Sequence, residues 1–476
     1  MSDHSARRSI TAMPMRAYGV LRGWLGEEHF RLRFQNIGYL FTGNIASGVL
    51  ATAAFGLAAR ALGPEEFGIL ALMSAYVAFV EKVTSFQSGQ ALIRFGTEAL
   101  DRGERELFKG LMRFGLLLDM ASAVVGTIAA IAFAVLAADY LGWSSKIETI
   151  LLFYCTMLLF RVQSMPVAML RFWGRFRFFA LEQAFNSVVR LVLIAIGYFT
   201  DQGLWFFALA FYVMQPITIA TLMFVVWLEA RRRDLLTVRT ASTREVTARF
   251  RGIFGFAWSS NLSMTLRAAT MELDTLLVGA FTDTASAGLY HVAKRIGRVF
   301  MEVGVQAQSV LYPEVMRFWV QREVAAFSYA LRQTVVVLGG LCFFLIIVVL
   351  IAAEPLLTIV AGKNFAGASG LLQVQVFASC LYLIGFAIRP ALLSTGQERE
   401  LLHASFWSTV LFQATAIPLL PIMGAMAANI AHIVSSLSWL IGMAWYVHIA
   451  IERANSHQLR TASDASIGPD SVDELD

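Results

Sequence analysis

Apolar and polar positions alternate along this chain in blocks. Twelve predominantly apolar runs succeed one another, at 35–58, 69–93, 111–136, 149–170, 178–199, 204–228, 252–281, 287–315, 328–353, 371–393, 400–420 and 425–451. Each is long enough to cross a bilayer as a helix, which needs about 20 residues. Stretches such as 128–138 (IAAIAFAVLAA) and 342–353 (CFFLIIVVLIAA) are continuously apolar. A membrane β-barrel would instead show about 10-residue segments of strict alternation. The polar connections alternate in charge. One set, made of the N-terminal arm, 94–110, 171–177, 230–251, 316–327, 394–399 and the C-terminal tail, holds 25 Lys and Arg; the other holds only Arg60, Lys146 and Lys363. Positive residues stay on the cytoplasmic side, so both termini are expected there. One missed or invented span would scramble the alternation, so the charge bias also checks the count.

Composition agrees with the pattern. Of 476 residues, 57% are hydrophobic and 15% charged, against about 25% charged in soluble domains. That excludes a soluble enzyme and a disordered scaffold. The net charge of +5 belongs to the connections between spans, which argues against a nucleic-acid partner. Cys155, Cys342 and Cys380 all lie inside apolar runs, with no spacing that suggests a metal site or disulfide framework. Residues 1–34 lack a signal-peptide pattern and read as a retained cytosolic arm.

The chain also repeats itself. LGPEEFGIL (62–70) follows the first span, and TDTASAGLY (282–290) follows the seventh, aligning Gly68 with Gly288. LMRFG (111–115) resembles ALRQT (330–334), and AADYLG (137–142) resembles AAEPLL (352–357). Six spans per repeat preserve orientation in the membrane, so the halves would be parallel repeats about an axis along the membrane normal. The expected fold is an all-α integral membrane protein, with 12 transmembrane helices in two six-helix lobes related by a parallel pseudo-two-fold repeat. The expected divisions are an N-lobe at 35–229, a basic cytoplasmic linker at 230–251, a C-lobe at 252–451 and a cytoplasmic tail at 452–476.

Ionisable residues inside the runs are the candidate chemistry. Each costs about 2.5–3.5 kcal/mol at mid-bilayer, so each should face a cavity or a partner. The eighth span is the richest. At about 100° per residue, His291, Lys294, Arg295, Arg298, Glu302 and Gln306 share an arc of about 120°. Within that helix Glu302, one turn from Arg298, is the available counter-charge, so a net positive wall remains. The seventh span carries Arg267 and Asp274 on one face, about 10 Å apart and too far for a direct pair, while Glu272 points elsewhere. The fifth places Glu182, Gln183, Asn186 and Arg190 together. Glu81 and Lys82 lie mid-way along the second span, and Asp119 and Arg161 are further intramembrane charges. Arg298, Arg295, Lys294, Arg267 and Arg190 fit a phosphate or another anionic headgroup, because guanidinium groups offer a matched fork of donors. Asp274, Glu302, Glu81, Glu182 and Asp119 are candidates for H⁺ or Na⁺ coupling. For each of these charges an internal salt bridge is the alternative to a ligand contact.

AARALGPEEFGILAL (58–72) resembles the opening of the bacterial polysaccharide flippases, in the multidrug/oligosaccharidyl-lipid/polysaccharide exporter superfamily. MELDTLLVGAFTDTASAGLYHVAKRI (271–296), AGKNFAGASGLLQV (361–374) and LLSTGQERE (392–400) resemble later segments of that family. The resemblance spans about residues 34–451. It implies a V-shaped pair of lobes around a cationic cavity in the bacterial inner membrane. It also implies that an undecaprenyl-diphosphate-linked oligosaccharide crosses from the cytoplasmic to the periplasmic leaflet for cell-surface polysaccharide biosynthesis, with no bond made and no cofactor. Partners would be the lipid-linked oligosaccharide, membrane lipid and polysaccharide assembly machinery. The competing functions are a drug or cation antiporter of the same superfamily, and a membrane polysaccharide polymerase or glycosyltransferase. A cationic stripe is a poor host for cationic drugs, and the short outer connections leave no room for a catalytic domain.

Overall fold

The computed structural model describes residues 28–86, 88–138, 145–235, 237, 239–255, 265 and 270–466. Its helices, in chain order, are α1 (Glu28–Thr84), α2 (Ser88–Asp101), α3 (Arg105–Ala138), α4 (Ser145–Cys155), α5 (Ser164–Phe172), α6 (Phe176–Phe199), α7 (Leu204–Arg232), α8 (Thr243–Arg249), α9 (Leu273–Phe281), α10 (Thr284–Val320), α11 (Val324–Ala361), α12 (Ser369–Ser394), α13 (Glu398–Met423) and α14 (Ala425–Ser466). Short 3-10 turns at Thr156–Phe160 and Lys363–Ala368 connect α4 to α5 and α11 to α12.

The protein is an all-helical membrane protein of twelve transmembrane helices in two six-helix lobes. Among the described residues, nine helical stretches are long and apolar enough to cross a membrane. The first of these holds two spans, because α1 breaks at Gly63, whose φ of 67° suits a residue without Cβ. Phe55 and Phe67 then meet edge to face with centroids 4.9 Å apart; twelve residues of straight helix would separate them by about 18 Å. Pro64 directly after the glycine opens the second span, where its missing N–H is no loss. α9 is the described part of the seventh span. The eighth is α10, which carries too many charges to score as apolar, and its 37 residues reach about 56 Å, beyond the hydrocarbon core.

Two spans are broken in mid-course. The second stops at Thr84 and resumes at Ser88, and the fourth stops at Phe160 and resumes at Ser164. Pro166 explains the second of these breaks. A helix continuing through 161–163 would place its ring against the Val162 carbonyl, whereas in the first turn of α5 it is tolerated. Asp119, buried in α3, accepts from the Met165 amide at 2.8 Å and so satisfies the freed N-terminus of α5. It also accepts from Ser88 Oγ at 2.5 Å, tying α2 to the same point.

The two halves meet on glycine backbone. A Cβ on Gly68 would lie 1.7 Å from the Thr284 carbonyl oxygen, and one on Gly288 would lie 2.2 Å from that of Pro64. Thr284 and Pro64 are 220 residues apart, as are Gly288 and Gly68. The contact is therefore isologous, as a pseudo-two-fold axis through it requires. Nearby, the Arg60 guanidinium donates to the carbonyls of Thr358 and Ile359, and Phe67 packs edge-on against Phe365. Among the described residues, α1 supplies the main contacts of the first half with α9, α10 and α11.

The stretch expected as a polar linker is partly helical and docked. Ser242 and Glu245 form a capping box that starts α8. Val246 is fully buried, the Ala241 amide donates to the Glu106 carbonyl, and Arg249 reaches Glu98 and Glu104. These contacts fix α8 to the first half.

The glycine contact gives a direct test. Gly68→Ala is expected to destabilise the protein by about 1–3 kcal/mol through overpacking, seen as a lower melting temperature in detergent. Gly48→Ala, whose Cβ meets nothing within 4 Å, should leave it unchanged. Equal melting of the two variants would mean that the lobes do not meet on these backbones.

Candidate functional site: a cationic cavity between the lobes

Between the halves, below the glycine contact, lies a cavity of about 310 Å³. Its apolar wall comes from α1, with Phe55, Phe67 and Leu70 among the lining residues. Its charged wall combines Arg161 and Arg190 from the first half with Glu272, His291, Lys294, Arg295 and Arg298 from the second. The face of α10 read from helical spacing thus faces the cavity over His291–Arg298.

The cations in this wall differ in their partners. Lys294 is buried, and its ammonium donates to Asp274 at 2.6 Å, to the Met271 carbonyl at 2.6 Å and to Thr275 Oγ1 at 3.0 Å. Asp274 is 0% exposed and also accepts from Tyr290 at 2.7 Å and meets His432 Nε2 at 2.8 Å. Lys294, Tyr290 and His432 reach it from α10 and α14, and the neighbouring Thr275 donates to it through its amide and hydroxyl. The ammonium of Lys294 thus has three acceptors, with Asp274 as its counter-ion, while the residue also lines the cavity. Arg298 donates to Met271 O at 2.6 Å and to Glu272 Oε1 at 3.1 Å. The expected partner, Glu302, is exposed and makes no ion pair with Arg298 among the described residues. Helical spacing treated Glu272 as continuing the seventh span, but its φ/ψ of −122° and −32° at the N-cap of α9 turns it toward α10. Arg161 pairs with Glu81 at 2.9 Å.

Arg190 and Arg295 are different. Among the described residues neither has a carboxylate within ion-pair distance. Arg190 Nε is buried without a hydrogen-bond partner, and the Arg295 guanidinium lies over the Phe55 ring at 5.8 Å. His291 Nδ1 and Arg161 Nε are likewise buried and unpartnered. Each half thus contributes one cavity guanidinium without an ion pair among the described residues; Arg295 lies within electrostatic reach of Arg190, and also of Glu272 and Glu302. Arg267, the fifth candidate cation, lies outside the described residues.

The remaining carboxylates sit elsewhere. Glu182 is buried and accepts from Asn186, which also donates to Thr218 at 2.9 Å, a bond set between α6 and α7. Asp119 caps α5 and lines a second cavity of about 260 Å³ within the first half, with Glu81, Ser85, Gln163 and Ser164. Arg161 borders both cavities. Sequence reading gave Arg161 no role in the site and passed over His432; a lone histidine in the twelfth span carries no signal until the fold brings it to Asp274.

Residues 34–319 match the polysaccharide biosynthesis protein family. The chain belongs to that family. It is 26% identical over 358 residues to the inner membrane protein YghQ of Escherichia coli K12, covering 74% of this chain and 99% of that protein. Two solved structures share its fold at a TM-score of 0.66. One is an inward-facing multidrug resistance MATE family transporter of the MOP superfamily, 15% identical, covering 86% of this chain and 96% of that one. The other is the lipid II flippase MurJ in an inward closed conformation, 13% identical, covering 88% and 92%. The fold is therefore shared with both, and equal likeness to the two leaves the cargo to the chemistry of the cavity.

The pairing of Lys294 yields an expected outcome. Lys294→Met strands the fully buried Asp274 charge and should cost about 3–5 kcal/mol of stability. Adding Asp274→Asn should recover most of it, because neither charge is then left alone. Wild-type melting of the single variant would release Lys294 from its structural assignment.

Proposed function

We propose that this protein flips a polyprenyl-diphosphate-linked oligosaccharide across the bacterial inner membrane for cell-surface polysaccharide biosynthesis. The observation that carries the reading is the pair Arg190 and Arg295. Two half-buried guanidinium groups, one on each lobe and neither with a carboxylate at ion-pair distance among the described residues, are costly in a low-dielectric cavity. They are matched to a ligand with two adjoining negative phosphates. A diphosphate held between them would neutralise both at once and link the lobes through the ligand. Membership of a polysaccharide biosynthesis family supports the glycan.

Orientation follows from the charge bias. With both termini cytoplasmic, the Gly68–Gly288 contact and the Arg60 bonds lie at the periplasmic end, so this conformation is closed outward. A cation antiporter fits poorly, because the unpaired charges repel its cargo. A polymerase or glycosyltransferase would need glycan-holding structure outside the membrane. Among the described residues the connections on that side are short, as at 200–203, 282–283 and 362–368.

Deleting the gene in its host and separating lipid-linked intermediates tests the proposal. Complete undecaprenyl-linked repeat units should accumulate on the cytoplasmic leaflet. Complementation with Arg295→Ala or Arg190→Ala should be poor, since loss of a charge-assisted bond weakens binding roughly ten- to a hundredfold, and Arg295→Lys should retain part of the function. Single repeat units on the outer leaflet would point to a polymerase instead.

A further inference from the structure

Two kinds of carboxylate stand out among the described residues. Asp274 and Glu229 are 0% and 5% exposed and each answers several donors inside one lobe. Asp119 is likewise buried against Ser88 and the Met165 amide. These hold the helices together. Glu81 and Glu272 are different. Their side chains are 17% and 21% exposed, and each contacts an arginine of the cavity wall, Arg161 and Arg298. There is one such pair in each lobe, and neither pair crosses between lobes.

Both pairs also stand at interruptions of spanning helices. Glu81 is in the last turn of α1, just before the break at 85–86. Arg161 is the residue at which the Thr156–Phe160 turn ends, with non-helical φ/ψ of −85° and 32°. Glu272 is the non-helical N-cap residue of α9. Half-exposed ion pairs at helix breaks are easily exchanged, whereas buried, multiply bonded ones are not.

We infer that Glu81 and Glu272 are placeholders for the ligand's phosphate oxygens. They hold Arg161 and Arg298 in the cavity wall, and an anionic headgroup binds by displacing them. The inference rests on the proposed diphosphate site and assigns regulation within it. Arg190 and Arg295 attract the anion because neither has an ion pair among the described residues. Arg161 and Arg298 join only after giving up a carboxylate, and that exchange releases the helix breaks at 85–86, 161–163 and 272. Binding is thereby coupled to bending of the second, fourth and seventh spans. The coupling is thermodynamically sound, because the ligand interacts differently with the two conformations. Its consequence is specific. The carboxylates compete with the ligand, so removing either charge should tighten binding, although it removes an ion pair.

The test uses purified full-length protein in nanodiscs, titrated calorimetrically with farnesyl diphosphate as a short-chain polyprenyl diphosphate. Glu81→Gln and Glu272→Gln should each bind the probe about tenfold more tightly than wild type. Arg295→Ala should bind more weakly. Unchanged or weakened affinity in both glutamine variants overturns the inference, as does failure of both to yield folded protein, which would make the two carboxylates structural. If wild type binds and Arg295→Ala weakens binding while the glutamine variants do not tighten it, only the placeholder role falls. If wild type does not bind the probe, the diphosphate site itself falls, and the inference with it.

Discussion

An ionised group inside a bilayer must find a partner or water, and much of this structure is organised by how that requirement is met. The Asp274–Lys294–His432–Tyr290 cluster ties the seventh, eighth and twelfth spans together. Asp119 joins the third span to the restarted helices of the second and fourth. Glu182 and Asn186 connect the fifth span to the sixth. Such buried pairs contribute little net stability against apolar replacements, but losing one member is severe, so they fix which helices lie together. Among the described residues, Arg161 Nε, Arg190 Nε and His291 Nδ1 remain buried without hydrogen-bond partners, and all three residues line one cavity.

The cavity depends in turn on a contact that has no side chains. Gly68 and Gly288 let two helix starts approach backbone to backbone at one end of the molecule. The lobes consequently diverge from a near-symmetric point, and the charged faces of α6 and α10 oppose each other across the space below it. In the first half, Gly63 and Pro64 end one span and begin the next. In the second half, Asp283 does the corresponding work by capping α10 through the Ser286 amide at 2.7 Å. The repeat preserves geometry while changing the local chemistry that produces it.

Much of this architecture can be read from the sequence, because hydropathy and loop charge act residue by residue. The pairing of Gly68 with Gly288 was visible as an offset of repeated strings, and the face of α10 was visible as helical spacing. What could not be read were partners supplied by other helices. Spacing along one helix proposed Glu302 for Arg298, whereas the structure supplies Glu272 from a neighbouring span at a point where that span is not helical. Lys294 looked like its neighbours Arg295 and Arg298 on the wheel, yet a buried aspartate twenty residues earlier takes its charge. The break in the fourth span had a signal in Pro166, but a proline late in an apolar run reads equally as a kink; only Asp119 arriving from α3 makes the interruption stable.

The central claim is that Arg190 and Arg295 carry an anionic polyprenyl headgroup between leaflets. Its most direct measurement is flipping in proteoliposomes loaded with a fluorescent polyprenyl-diphosphate oligosaccharide, read as the fraction exposed to a membrane-impermeant quencher over time. Vesicles containing the wild-type protein should expose inner-leaflet probe much faster than protein-free vesicles, and the Arg190→Ala/Arg295→Ala double variant should approach the protein-free rate. Exposure in wild-type vesicles no faster than in empty ones, or equal rates for wild type and the double variant, would contradict the claim.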